Sequence, residues 1–326
     1  MADLNTIYMG MELRNPVIAG SSGLTSNVEN LKELEKYGAG AVVLKSIFEE
    51  QILMETSKEI ESSDLGIHPE AAGYLTTMTK EHSVYQYLEL IEEAKKAISI
   101  PVIASVNCLT DGEWTKFAKR IQDAGADALE LNIFITDFEK NDSRAIEKNY
   151  FKIVEKVKGI VSIPIALKVS TLFSNLPQMM TGLSRTGASG LVLFNRYWSP
   201  DINLEEMAIT SGSVYSSPDE ITIPIRWVGL LSELIECDIS ATTGIHDGNG
   251  VVKLLLVGAT TVQVCSSLYI NGIEYIAKII NQVDNWLGAR GYKTLEEIRG
   301  LLGSKTHEER KVFGRAQFMK YYALKE

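Results

Sequence analysis

The stretch DALELNIFITD, Asp127 to Asp137, decides how the chain is read. Ala128-Leu129-Glu130-Leu131 has the mostly apolar character of a buried strand. A parallel strand covered on both faces can be almost wholly apolar. The run stops at Asn132, and the loop Ile133 to Asp137 follows. A buried amide without partners costs roughly 1–3 kcal/mol. Asn132 therefore either pairs with something or simply caps the next turn. In (β/α)₈ barrels the chemistry sits at the carboxyl ends of strands, so the neighbouring strands decide between these readings.

Four segments share one pattern, a helix, then Gly-Ala, then a β-rich run: YGAGAVVLK (37–45), AGADALELN (124–132), TGASGLVLFN (186–195) and VGATTVQVCS (257–266). Glycine suits the left-handed residue that ends a helix. Three more apolar runs begin at or just after a proline, NPVIAG (15–20), IPVIASVN (100–107) and IPIALKVS (163–170), and the run in CDISATTG (237–244) starts after Asp238 instead. Proline is tolerated at the first residue of a strand. Helical patterns cover Glu29 to Tyr37, Tyr85 to Ala97, Glu113 to Ala124, Ile146 to Val157, Leu176 to Arg185 and Val228 to Leu234. Eight β-α alternations argue for a closed parallel TIM barrel. An open doubly wound sheet is the alternative, and the missing GxGxxG after the first strand counts against it.

The expected organisation is a single (β/α)₈ domain over 1–304 and a charged, helical C-terminal tail over 305–326. Three long connections, Ser46 to Ser83, Phe134 to Ser143 and Tyr197 to Ile223, leave from carboxyl ends, and loops of such length are usually lids or binding loops.

The 326 residues are 45% hydrophobic and 23% charged, ordinary for a globular chain, and the net charge of −10 argues against a nucleic-acid surface and against docking on anionic lipid. Cys108, Cys237 and Cys265 form no CxxC pair, which fits a reducing compartment. Met1 to Arg14 holds no signal-like apolar core, and no apolar run reaches the roughly 18–20 residues of a membrane span. A soluble cytoplasmic protein is expected. His68, His82, His246 and His307 show no HExxH spacing, so no metal site is expected.

The strand ends form a polar set: Lys45-Ser46, Ser105 to Asn107, Asn132, Lys168, Asn195-Arg196, Thr242 to Gly244 and Ser266-Ser267. Lys45 follows Ala-Val-Val-Leu and Lys168 follows Pro-Ile-Ala-Leu. A lysine is almost never fully buried without a partner, and the bland reading is two lysines snorkelling to the barrel rim. Thr243-Gly244 and Cys265-Ser266 turn from strand towards helix where barrels commonly bind phosphate, although Ser and Thr also cap ordinary helices. Together they suggest a phosphate-bearing ligand with two cations and two amides around its reactive part.

These residues resemble the dihydroorotate dehydrogenase family, the soluble class-one type, up to about Leu302. NPVIAGSSG, GAGAVVLKS, LELN, PIALKVS, TTGIHDGNGVVKLLLVGATTVQVCSSLY and GYKTLEEIRG each look like a phrase of that family. The resemblance implies an FMN-binding barrel and a small-molecule substrate. Flavin contacts would fall on Gly20, Ser21, Lys45, Ser46, Asn132 and Lys168, with phosphate contacts on Thr243, Gly244, Cys265 and Ser266. Substrate contacts would fall on Lys45, Asn132 and Asn195. Class-one relatives imply a homodimer, and an iron–sulfur electron-transfer subunit is not readable from this chain.

The sequence departs from the family where the base should be. The family loop reads Asn-x-Ser-Cys-Pro-Asn, whereas this chain has Asn132-Ile133-Phe134-Ile135-Thr136-Asp137, with Ile135 at the base position. Thr136 or Asp137 could serve as a displaced base. The usual asparagine- and glycine-rich substrate loop reads Tyr74 to Lys80 here, and one phosphate glycine of each pair is Thr243 or Cys265. The expected protein is an FMN-dependent oxidoreductase acting on a CH–CH bond of a pyrimidine-like ring, with Lys45, Asn132 and Thr136 as catalytic candidates. A flavin-free phosphate-binding lyase or isomerase and a non-catalytic flavin-binding protein are the alternatives.

Overall fold

Each Gly-Ala segment ends its helix on a left-handed glycine: Gly38, Gly125, Gly187 and Gly258 have φ between 87° and 113°. A residue with a Cβ seldom adopts that backbone. The structure, a computed structural model, describes residues 2–48, 69–107, 111–135 and 142–305, and only the backbone for 69–81 and 111–114.

The eight strands are β1 (Val17–Ala19), β2 (Ala41–Val43), β3 (Val102–Asn107), β4 (Ala128–Asn132), β5 (Ile165–Val169), β6 (Gly190–Leu193), β7 (Asp238–Thr242) and β8 (Thr261–Val264). They pair in the order β2-β1-β8-β7-β6-β5-β4-β3. β3 then pairs in parallel with β2, Val42 opposite Val102, which closes the barrel. Ile47–Phe48 adds a short strand beside the end of β3. The helices after successive strands are α1 (Val28–Lys36), α2 (Pro69–Ala97), α3 (Asp111–Asp123), α4 (Ser143–Lys158), α5 (Leu176–Ser184), α6 (Thr222–Leu231), α7 (Gly248–Leu256) and α8 (Tyr275–Arg290), with a short helix Ser266–Asn271 before the last. The closed barrel is the fold the sequence predicts, and the open sheet is excluded. The tail from residue 306 onward lies outside the described residues.

Helix starts follow local chemistry. The side chains of Asn27, Asp142, Asn175 and Asp247 each accept a backbone N–H in the first turn of α1, α4, α5 and α7. Such a cap is worth about 1 kcal/mol. Between strands and helices lies the main apolar core, which includes Leu31, Ile91, Ile121, Val154, Leu183, Val228, Leu255 and Ile279. A second cluster fills the barrel's amino-terminal end. There an antiparallel hairpin, Thr6–Tyr8 with Met11–Leu13, packs Tyr8, Met9 and Leu13 against Ile18, Ala41, Val43, Ile103, Ala128, Ala166 and Val192. The amino-terminal end is thus plugged with apolar side chains, which leaves the carboxyl end for polar ones.

Two connections differ from expectation. Helix α2 begins at Pro69, so residues 69–83 are helical rather than loop. Proline is favoured in the first helical turn, and Glu70, Ala71 and Ala72 are good helix formers. The connection after β6 carries a second antiparallel hairpin, Pro200–Asn203 with Ala208–Ser211. Its Ile202, Leu204, Met207 and Ile209 are exposed.

Two glycines set opposite expectations. A Cβ on Gly40 would run into the backbone carbonyl oxygen of Asn15, so Gly40→Ala should destabilise by about 1–3 kcal/mol. A Cβ on Gly288, inside α8, would meet nothing within 4 Å, so Gly288→Ala should stabilise by up to about 1 kcal/mol. Chemical denaturation of both variants checks the pair, and equal effects would contradict the packing described.

Candidate active site

In a parallel strand successive side chains alternate between faces, so Glu130 and Asn132 share one face of β4. The register sets Asn132 opposite Lys168 of β5. Both faces of these strands are covered, and the polar side chains point into the barrel. Asn132 is buried and accepts a 2.7 Å hydrogen bond from Asn195 Nδ2, which joins the ends of β4 and β6. Asn132 is therefore partnered across the barrel mouth, and no bond from it to its own turn is observed among the described residues.

Lys168 is also buried, with 9% of its side chain exposed. Its ammonium stands 3.6 Å from Glu130 Oε1, whose side chain is 1% exposed. The other carboxylate oxygen accepts 2.7 Å from Gln263 Nε2 of β8. Lys45 differs, being exposed at the end of β2. The two lysines that the sequence treats as a pair thus occupy different places, one on the rim and one inside.

Lys168, Asn195, Arg196, Gln263 and Ser21 line a cavity of about 440 Å³ together with Thr243, Gly244, Cys265 and Ser266. Its described lining holds two cationic side chains and no carboxylate. Gly20 lies at its edge, donating its N–H to the Val264 carbonyl. A Cβ on Gly20 would meet Cys265 Sγ at 2.7 Å. Ser46 is buried behind Ser21: its N–H donates 2.9 Å to Ser21 Oγ, and its hydroxyl lies 2.6 Å from Ser105 Oγ. Tyr87 anchors this chain, donating to the Ser105 carbonyl and accepting from the Ser105 N–H.

The far end of the cavity is built by the turns after β7 and β8. Thr243 and Gly244 have φ of 81° and 76°. A β-branched residue there is an outlier, and such strain concentrates at functional sites. Thr243 Oγ1 donates 3.2 Å to the Phe194 carbonyl, one bond that holds it. Ser216, from the connection after β6, bridges the two turns: its N–H donates to Ser266 Oγ and its hydroxyl accepts from Gly244 N–H. Tyr215 and Tyr269 stack beside it.

Around the expected base position, Ile135 donates its N–H to the Tyr150 hydroxyl and is itself alkyl. Thr136 and Asp137 lie outside the described residues. Sequence reasoning missed Tyr197. Its ring stacks on Phe134 with centroids 4.0 Å apart. Its hydroxyl is buried without a hydrogen bond and faces Asn195 and Ser170. Burial raises its pKa well above the ordinary tyrosine value, so the hydroxyl keeps its proton at neutral pH. Burial likewise raises the Cys265 thiol, which makes it a lining group rather than a nucleophile.

A family model described as dihydroorotate dehydrogenase matches residues 3–287. The chain belongs to the dihydroorotate dehydrogenase family. Its relatives include the catalytic subunit of dihydroorotate dehydrogenase B (NAD(+)) of Pyrococcus abyssi, 26% identical over 304 residues, 91% of this chain and 98% of that protein. The protein of the same name from Thermoplasma volcanium is 26% identical over 311 residues, covering 92% and 99%. That from Methanocaldococcus jannaschii is 27% identical over 319 residues, covering 91% and 97%. The resemblance read from the motifs holds at family level, and the protein is an oxidoreductase of this family. Among the described residues no helix is long and apolar enough to cross a membrane, and no group of three or more metal-ligating side chains is assembled.

Arg196 fixes the connection that supplies Ser216. It pairs with Glu220 at 2.9 Å and donates to the carbonyls of Ser213 and Val214. Burial pushes the Glu220 carboxyl up, but hydrogen bonds from Arg196 and the Ser217 N–H outweigh it and hold the carboxyl below its usual range. The pair's contribution is therefore intact above the usual carboxylate range and fades as pH falls through the lowered value. Arg196→Ala should expose 197–217 to protease at neutral pH, whereas the native loop should become susceptible only on acidification. Equal cleavage of the two proteins at neutral pH would show that Arg196 does not hold the loop.

Proposed function

We propose that the protein is an FMN-dependent oxidoreductase acting on a CH–CH bond of a small pyrimidine-like ring of the dihydroorotate and orotate class. The observation that carries this reading is the buried ammonium of Lys168 at an acid-free cavity, in a chain that the family model covers from 3 to 287. The residues fit the cofactor. Cavities for such ligands run from about 300 to 1,000 Å³. A Cβ on Gly20 would meet Cys265 Sγ and one on Gly244 the backbone of Ile221, so the two glycines let the cavity walls pack closely. Ser21 and Ser266 add hydroxyl donors.

In this reading Gly20, Ser21, Ser46, Asn132 and Lys168 hold the flavin ring, and Thr243, Gly244, Cys265 and Ser266 hold its phosphate. Lys45, Asn132 and Asn195 orient the substrate. Bound FMN supplies reversible two-electron chemistry. Lys168 contributes a fixed positive charge, which is most effective where water is excluded. Ile135 cannot exchange a proton, and the buried Tyr197 hydroxyl, which keeps its proton, can only donate one, in the direction of ring reduction. The name that the relatives carry, catalytic subunit, supports a separate electron-transfer partner, which would be an iron–sulfur protein on the class-one pattern. A cytoplasmic homodimer is part of the same reading.

The absorbance spectrum of the purified protein, followed by FMN titration of the stripped chain, tests the reading. FMN should bind stoichiometrically, and a colourless protein with no thermal shift in excess FMN would overturn it. Lys168→Ala should make bound FMN harder to reduce, by roughly 2–4 kcal/mol on the scale of other preorganised charge stabilisers. An unchanged midpoint potential would place Lys168 away from the ring.

Oxidation of dihydroorotate should be slow, because a positioned base is worth about 10²–10⁴-fold and Ile135 offers none. Anaerobic stopped-flow bleaching of the flavin by dihydroorotate measures it, with a rate typical of ordinary class-one enzymes as the contrary result. Tyr197→Phe should leave this bleaching rate unchanged, because a hydroxyl that keeps its proton is no base, and a slower rate would show that Tyr197 takes the proton.

A further inference from the structure

Among the described residues the barrel interior holds one buried carboxylate, Glu130, and the proposed chemistry gives it no part. Glu130 sits in a fully buried strand with the apolar Ala128, Leu129 and Leu131 and the amide of Asn132. A carboxylate so fully removed from water carries a desolvation penalty of several kcal/mol unless it is paired. Two groups face it. Gln263 Nε2 donates to Oε2 at 2.7 Å. Oε1 makes no hydrogen bond and has Lys168 Nζ at 3.6 Å. Among the described residues no second carboxylate is paired with Lys168. The negative charge of Glu130 also raises the buried hydroxyls of Tyr8 and Tyr87, after burial itself.

Gln263 links this pair to the cavity wall. It lines the cavity with Lys168, and a Cβ on Gly20 would lie 3.3 Å from Gln263 Cβ. The amide therefore holds the carboxylate from one side while the ammonium meets it from the other. A simple structural ion pair would be satisfied by a short, direct hydrogen bond. Here the ammonium stands 3.6 Å from one carboxylate oxygen while the glutamine bonds the other, and the ammonium lies at the cavity.

We propose that Glu130 is a positioning residue that holds the ammonium of Lys168 and sets how much positive charge it presents to the cofactor. This rests on the FMN reading above. Reduced flavin carries negative charge that the oxidised ring lacks, so the charge left on Lys168 after compensation by Glu130 sets the balance between the two forms. Removing the carboxylate unmasks the lysine and favours the reduced form. Removing the Gln263 donor frees Glu130 to compensate Lys168 more fully and favours the oxidised form.

The test is the midpoint potential of FMN bound to the whole protein, measured by spectroelectrochemical titration for the native chain and variants. Glu130→Gln should retain FMN and favour the reduced form at least tenfold, a rise of about 30 mV for a two-electron couple. Glu130→Asp, which keeps the charge, should stay closer to the native value. In the Lys168→Met background, Glu130→Gln should have no such effect. A Glu130→Gln protein with FMN bound and an unshifted potential would overturn the proposal, as would the same shift without Lys168. If Glu130→Gln does not fold, Gln263→Met decides: its potential should move the opposite way, and an unmoved or raised value overturns the proposal. Failure of the native protein to bind FMN removes the cofactor reading and this proposal with it, whereas bound FMN with unshifted potentials removes this proposal alone.

Discussion

The register between β4 and β5 is the constraint on which the site depends. Asn132 lies opposite Lys168 and Glu130 opposite Ala166. Side chains alternate along a strand, so a slip of one residue would turn every inward group outward. Glu130, Asn132 and Lys168 would then enter the apolar layer between strands and helices, without the Gln263 and Asn195 that partner them now. The cost of stranding an ammonium and a carboxylate there makes the site itself a guard of register. Barrel and site are specified by the same side chains.

The apolar plug and the polar mouth divide the barrel along its axis. Tyr8, Met9 and Leu13 occupy the amino-terminal end, where they keep water from the underside of the Glu130–Lys168 pair. A charge in such surroundings is screened less than one at the surface. Lys45 and Lys168 illustrate the difference: the same residue type sits on an exposed rim in one case and in a low-dielectric interior in the other. Only the second can act as a fixed charge with little reorganisation.

Much of the barrel was legible because its repeats are local. A glycine that ends a helix and the apolar run behind it lie within ten residues of each other, as in 124–132, and four such segments repeat. The polar strand ends were legible for the same reason: Lys168 and Asn132 interrupt apolar runs. Partnerships were not legible. Glu130 and Gln263 are 133 residues apart, and a single polar residue inside ALEL or TVQV passes as tolerated. Period-two spacing was the available signal, since Glu130 must share the inward face with Asn132. Tyr197 was hidden by its place in a connection, where its stacking on Phe134 depends on two loops meeting. The start of α2 at Pro69 was missed because its first turns, PEAAGYLTTMTKEHS, lack the apolar period that marks Tyr85 to Ala97.

The amino-terminal hairpin has a consequence for synthesis. Met9 N–H bonds to Asp238, Ala2 N–H to Asp284, Asp3 N–H to the Lys293 carbonyl, and Thr6 accepts from Arg299. β1 needs β8 as one of its two neighbours. Residues 2–19 therefore meet partners that are made more than two hundred residues later. At about 5–20 residues per second the interval is on the order of tens of seconds, during which Tyr8, Met9 and Leu13 have no barrel to plug. Closure waits for β8 and α8, and until they emerge the nascent chain must keep an apolar hairpin and an unpaired strand from other partners.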